Sequence, residues 1–219
     1  MPDRSEWLDS PRSFREPLAV AARLARLEEP HVKPLTDYVL DLRQRVNDPE
    51  GVPFFDPADG GIHARVLFLL EAPGPKASAS GVKRGSGLIS SNNDDMTARN
   101  FFTLRDEAGL SREWIAAWNI VPWYVSAADG SKIRAVTPDE VRAGLRELGG
   151  LVRLLPRLRA VVPMGGPARR GWALRDPGLA PGVATIETWH PSPLSLNPHP
   201  ERRDEVREAM RQAARVAGA

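Results

Sequence analysis

The chain has 219 residues, a formal net charge of +2 and no cysteine. That length suits one sizeable α/β domain, and the missing thiols exclude disulfides, thiolate zinc sites, iron–sulfur clusters and cysteine nucleophiles. No apolar run approaches the roughly 20 residues that span a membrane, and the polar stretch Met1 to Ser10 carries no secretory signal, so the cytoplasm is the expected compartment.

In chain order, residues 1–17 are polar and proline-interrupted and read as a loose arm. Pro17 to Glu29 and Pro34 to Val46 have helical apolar spacing, and both helices are expected on one face of a sheet. Asn47 to Gly61 is a loop in which Phe54 and Phe55 need a place to bury. Arg65 to Leu70 is the first strand; its five apolar residues in a row imply burial on both faces. It ends in Glu71, and Pro73, Gly74 and Pro75 then forbid a helix and impose a stiff turn.

Lys76 to Asp95 is a long polar loop, functional or disordered by its length. Thr97 to Ala108 follows as a helix stopped by Gly109. Trp114 to Val121 is a second buried strand with one polar residue, Asn119. After the loop from Pro122 to Val136, Thr137-Pro138-Asp139-Glu140 starts a helix that runs to about Leu155, with Thr137 and Glu140 spaced for a capping box. Arg159 to Met164 is a third strand, Ala168 to Leu174 a short helix, and Val183 to Thr188 a fourth strand. His190 to Pro200 is a proline-rich loop, and Arg202 to Val216 closes the chain as a helix. Strands alternating with helices imply a mainly parallel sheet in a single domain spanning 1–219.

Three polar groups share one topological position. Glu71 ends the first strand, Asn119 lies near the end of the second, and His190 follows the fourth. In a parallel sheet these ends lie on one edge, where open α/β sheets hold their ligands. Each residue alone has a plain structural role open to it: a cap, a loop hydrogen bond, a satisfied histidine. Together they predict a pocket. In Trp189-His190-Pro191-Ser192-Pro193-Leu194-Ser195 the prolines stiffen a loop that projects two hydroxyls around an apolar leucine. That pattern fits serines on phosphates and a wedge entering a base stack.

Glu71-Ala72-Pro73-Gly74 after a strand, Asn119 in a second strand and His190 to Ser195 after the last strand resemble the uracil-DNA glycosylase superfamily over about Arg65 to Ser195. The resemblance implies a three-layer α/β/α sandwich with a short, mainly parallel four-stranded sheet. It implies a monomer that acts on DNA without metal or other cofactor, flips a damaged nucleotide and hydrolyses its N-glycosidic bond. By motif, Glu71 would direct the attacking water, and His190 would donate to the base O2. Asn119 would read the base, with Ala72, Leu88 and Ile89 lining its site. Pro73, Gly74, Ser192, Pro193 and Ser195 would contact DNA around the wedge Leu194. The chain departs from the pattern in three ways: Leu70 replaces the glycine before Glu71, the cluster cysteines are absent, and Leu88 or Ile89 stands where an aromatic residue would stack on the base. Phe101 and Phe102, farther on, read as helix core.

Other chemistries fit less well. Six residues separate Gly74 from Gly81 and no Gly-Lys-Ser/Thr follows, so a triphosphate-binding loop fails. A Gly-x-Ser-x-Gly elbow is missing, and His190 and His199 have no neighbouring ligands for a metal. Lys76, Lys83 and Arg84 could touch a nucleic-acid backbone or form a solvated face. Two readings stand: a base-excision glycosylase, and a binding module that keeps the fold with weak or no excision.

Overall fold

The structure is a computed structural model and describes residues 9–80, 84–127 and 133–218. The apolar runs form a four-stranded, all-parallel sheet. Its strands are β2 (Val66–Leu70), β4 (Ile115–Asn119), β5 (Ala160–Pro163) and β6 (Ala184–Thr185), in the order β4-β2-β5-β6. The chain leaves β2 toward β4 on one side, then returns to β5 on the other. The strand order therefore reverses beside the carboxyl end of β2, which is where such sheets open a crevice. The register pairs Leu70 with Asn119. The ladder continues past it, with the Ile120 amide donating to the Leu70 carbonyl (2.8 Å) and the Val121 amide to the Glu71 carbonyl (3.0 Å). The backbone carrying Glu71 is thus fixed by the sheet.

The strands β2, β4 and β5 are buried on both sides because each face has its own helical layer, while the edge strand β6 has Ala184 half-buried and Thr185 exposed. Leu67 and Leu69 of β2 join a core with α2 (Lys33–Arg43), α4 (Pro138–Arg153) and α5 (Gly166–Ala173). Val66 and Phe68, alternating with them, join a second core with α3 (Met96–Glu107) and α7 (Glu201–Gly218). This period of two, apolar on both faces, is what a central parallel strand requires. Asp95 caps α3 by accepting from the Ala98 amide (2.9 Å). The Thr137/Glu140 capping box of α4 forms with both reciprocal bonds.

Four expectations are corrected. Helix α1 (Pro17–Leu24) does not cover the sheet: its Ala19 packs in a separate small cluster with Phe14 and Leu88. Residues 9–17 are not loose, because Phe14 needs burial and its amide donates to the Asn92 carbonyl (3.0 Å), while residues 1–8 lie outside the described residues. Phe54 and Phe55 form a short strand, β1, that pairs in parallel with β3 (Leu88–Ile89); Phe55 stacks on Trp118 at 4.4 Å. Within the proline-rich loop, Pro193–Leu196 forms one helical turn, α6. Ser192 stands at its N-cap position and Pro193 at its first position, where a fixed φ and a missing N–H cost nothing.

Candidate functional site

A cavity of about 520 Å³ opens at the carboxyl edge of β2 and β4. Glu71, Asn119 and His190 all line it, as do Ala72, Pro73, Gly74 and Ile89. Three elements far apart in sequence are thereby brought to one space. Asn119 ends β4 two residues after Ala117, which also faces the cavity, as the strand period dictates. Its side chain is only 4% exposed, and its carboxamide has no hydrogen-bond partner among the described residues. A buried amide at a cavity wall without a protein partner keeps its hydrogen-bonding capacity unused, and leaving it so costs stability. The Glu71 Oε1 accepts at long range from the Val136 amide (3.5 Å), which leaves the rest of the carboxylate open to the cavity.

His190 is positioned from beneath by Gly165, the residue after β5 and Met164. Gly165 has φ +85° and ψ 169°, a conformation essentially reserved for glycine. A Cβ at that position would lie 2.9 Å from the His190 Cβ. The chain is therefore shaped so that His190 can sit close over the end of β5. Burial pushes the His190 imidazole down to about 4, so it is neutral at pH 7 and carries one N–H to donate.

The remaining expected residues are placed elsewhere. Leu88 is fully buried against Phe14 and Ala19, on the far side of β3 from Ile89, and does not line the cavity. Neighbouring strand residues point to opposite faces, so only one of the pair could face inward. Ser192, Pro193, Leu194 and Ser195 lie outside the cavity on α6, with Leu194 87% exposed. Lys76 does line the cavity, where it pairs with Asp94 (3.5 Å), whereas Arg84 pairs with Glu50 (3.4 Å) outside it; Lys83 and Gly81 lie outside the described residues.

Several lining residues carried no signal in the sequence. Phe101 of α3 lines the cavity with its ring edge-on to Phe68 (4.9 Å), so an aromatic wall comes from the helix rather than from the loop after Glu71. Asn100, the residue before it, donates to the Pro191 carbonyl (2.8 Å) and anchors the segment after His190. Ile133, Arg134 and Ala135 close another side, where Arg134 is held by Glu140 at 2.6 Å.

Asp59 also lines the cavity and belongs to a buried ionic cluster. Arg112 binds Asp59 through Nε (2.7 Å) and Asp56 through Nη2 (2.6 Å), and Arg23 reaches Asp56 at 2.5 Å. Ser90 donates to Asp56 as well. Burial drives Asp56 upward, but the two guanidiniums and Ser90 outweigh it and hold the carboxyl below its usual range. At Asp59 burial wins: with Asp56 repelling it, its carboxyl is raised despite the contact with Arg112. Among the described residues no group of His, Asp and Glu side chains is arranged to hold a metal ion.

A short parallel α/β sandwich thus gathers a carboxylate, a carboxamide and a neutral imidazole around a cavity at its switch point. The sequence pattern of the uracil DNA glycosylase superfamily matches residues 57–214, and the chain belongs to that superfamily. No curated protein matches the chain. The absence of cysteine excludes the iron–sulfur arrangement found in part of the superfamily. No described helix is long and apolar enough to cross a membrane.

Proposed function

We propose that the chain is a monofunctional DNA glycosylase that hydrolyses the N-glycosidic bond of uracil or another deaminated base after nucleotide flipping. The observation that carries this reading is the meeting of Glu71, Asn119 and His190 in one cavity. Breaking the bond sends its electron pair to the base and leaves a cationic sugar. Glu71 supports that cation and takes the proton of the water that attacks the anomeric carbon. His190 donates its N–H to the base oxygen on which negative charge grows. A neutral imidazole suits this task, because it stabilises the anion without adding a buried cation beforehand. Asn119 supplies a donor and an acceptor to the base edge, and its unpartnered state means that a bound base completes its hydrogen bonding.

Extruding a base costs a few kcal/mol, and insertion of Leu194 offsets it. At 87% exposure on a turn held by prolines, it is an apolar wedge for the gap left in the stack. The second reading, a glycosylase-fold binding module, rests on Ile89: the wall next to the Glu71 turn has no ring for the base to stack on.

The test is a panel of oligonucleotides with uracil, hypoxanthine or xanthine, followed by alkali cleavage of abasic sites. Abasic product from at least one base is expected, falling about 10²–10³-fold in Glu71→Gln. Binding with no abasic product from any of the three would establish the binding module instead.

A further inference from the structure

The segment that carries His190 and Leu194 begins at Trp189, and the surroundings of this ring have no place in the chemistry above. The Arg202 guanidinium lies 3.9 Å from the centre of the Trp189 ring and that of Arg169 lies 5.1 Å from it. The two arginines come from different helices, α7 and α5. Trp189 is itself fixed, donating its indole N–H to Glu205 (2.8 Å). Arg202 also donates to the Ser195 carbonyl (3.2 Å), so it bridges the two ends of the segment. Neither arginine makes an ion pair with a carboxylate among the described residues. The acids of α7 nearby are engaged elsewhere: Glu201 with His199 (3.3 Å) and Asp204 with Arg207. Arg45, Arg134 and Arg215, by contrast, are each tied to an acid.

We propose that Arg169 and Arg202, aligned on Trp189, form a phosphate clamp that grips the DNA backbone flanking the extruded nucleotide. The proposal rests on the DNA-acting reading of the cavity and assigns its backbone contacts. A guanidinium stacked on an indole has its plane fixed while its N–H edge stays free, which suits bidentate contact with phosphate oxygens. Trp189 immediately precedes His190 in the cavity wall, and Leu194 lies five residues further on. A strand whose base enters the cavity and whose stack receives Leu194 therefore carries its backbone across this ring. The tie from Arg202 to Ser195 makes the clamp and the wedge parts of one unit.

The test is the salt dependence of binding to a duplex that carries a single abasic-site analogue, read by fluorescence anisotropy. This probe needs no base chemistry. Each neutralised phosphate contributes about 0.9 to the slope of log affinity against log salt. The double variant Arg169→Gln/Arg202→Gln is expected to lose about 1.8 from that slope, and its affinity should fall about tenfold less than the parent's between 50 and 200 mM salt. Arg169→Lys/Arg202→Lys should retain most of the slope, because charge is kept while the planar fork is lost. Arg157→Gln, at the opposite edge of the sheet just before β5, should leave it unchanged. An unchanged slope in the folded double glutamine variant, or an equal loss in Arg157→Gln, overturns the clamp. Failure of the glycosylase reading is read separately, as a parent protein that binds this duplex yet yields no abasic product from the base panel.

Discussion

Two buried polar regions lie within one cavity wall of each other and differ in how completely they are paired. Around Arg112, two carboxylates, a second arginine and a serine satisfy one another at 2.5–2.7 Å or closer. At the carboxyl edge of β2 and β4, Asn119 has no described partner and Glu71 has one long contact. Saturated polar clusters hold loops in place; unsaturated ones keep hydrogen-bonding capacity unused. The Arg112 cluster joins Asp56 and Asp59, before β2, to Asn92 in the long loop and to the start of β4. It thereby fixes the wall of the cavity opposite Glu71, Asn119 and His190.

The sharpest way to break this contrast is Arg112→Met. It strands the buried Asp59 and leaves Asp56 with Arg23 alone, and is expected to cost about 3–5 kcal/mol in chemical unfolding. Glu71→Gln in the open region should leave unfolding within about 0.5 kcal/mol of the parent. Equal losses in the two variants would dissolve the distinction. Gly165→Ala comes next. It forces a side chain onto a backbone conformation reserved for glycine and against the His190 Cβ, so about 1–3 kcal/mol is expected. Its excision rate should fall further than that of an alanine placed at Gly182, whose surroundings are open.

The smallest effect is the pH dependence of His190. Its pKa is lowered on folding, so the unfolded chain takes up a proton first as pH falls below about 6.5, and the native state loses stability until about pH 4. Between pH 7 and 4.5 the parent should lose about 1–2 kcal/mol more than His190→Gln, with the half-buried position of the ring reducing the full linkage value. Excision should show no histidine titration between pH 8 and 5. A protonation step near pH 6.5 that vanishes in the variant would mean a charged donor, and the neutral role would be wrong.

The sequence by itself determined the sheet, most of the helices and the meeting of Glu71, Asn119 and His190. Apolar period, capping residues and glycine or proline stops are local signals, and parallel strands place their ends on one edge without further information. Phe54–Phe55 and Leu88–Ile89 pair over too few residues to show a period, so β1 and β3 leave no strand signal in the sequence. Register between distant segments decided that Ile89, and not Leu88, faces the cavity. Packing of α3 against the sheet decided that Phe101 supplies the aromatic wall, a residue whose helical spacing signals only core. The pairing of Asp56 and Asp59 with Arg112 joins residues more than 50 positions apart, and the Trp189 ring gathers arginines from two helices. Charges that find partners across such distances leave no pattern in the chain, because their spacing is set by how helices and sheet dock rather than by the repeat of any one element.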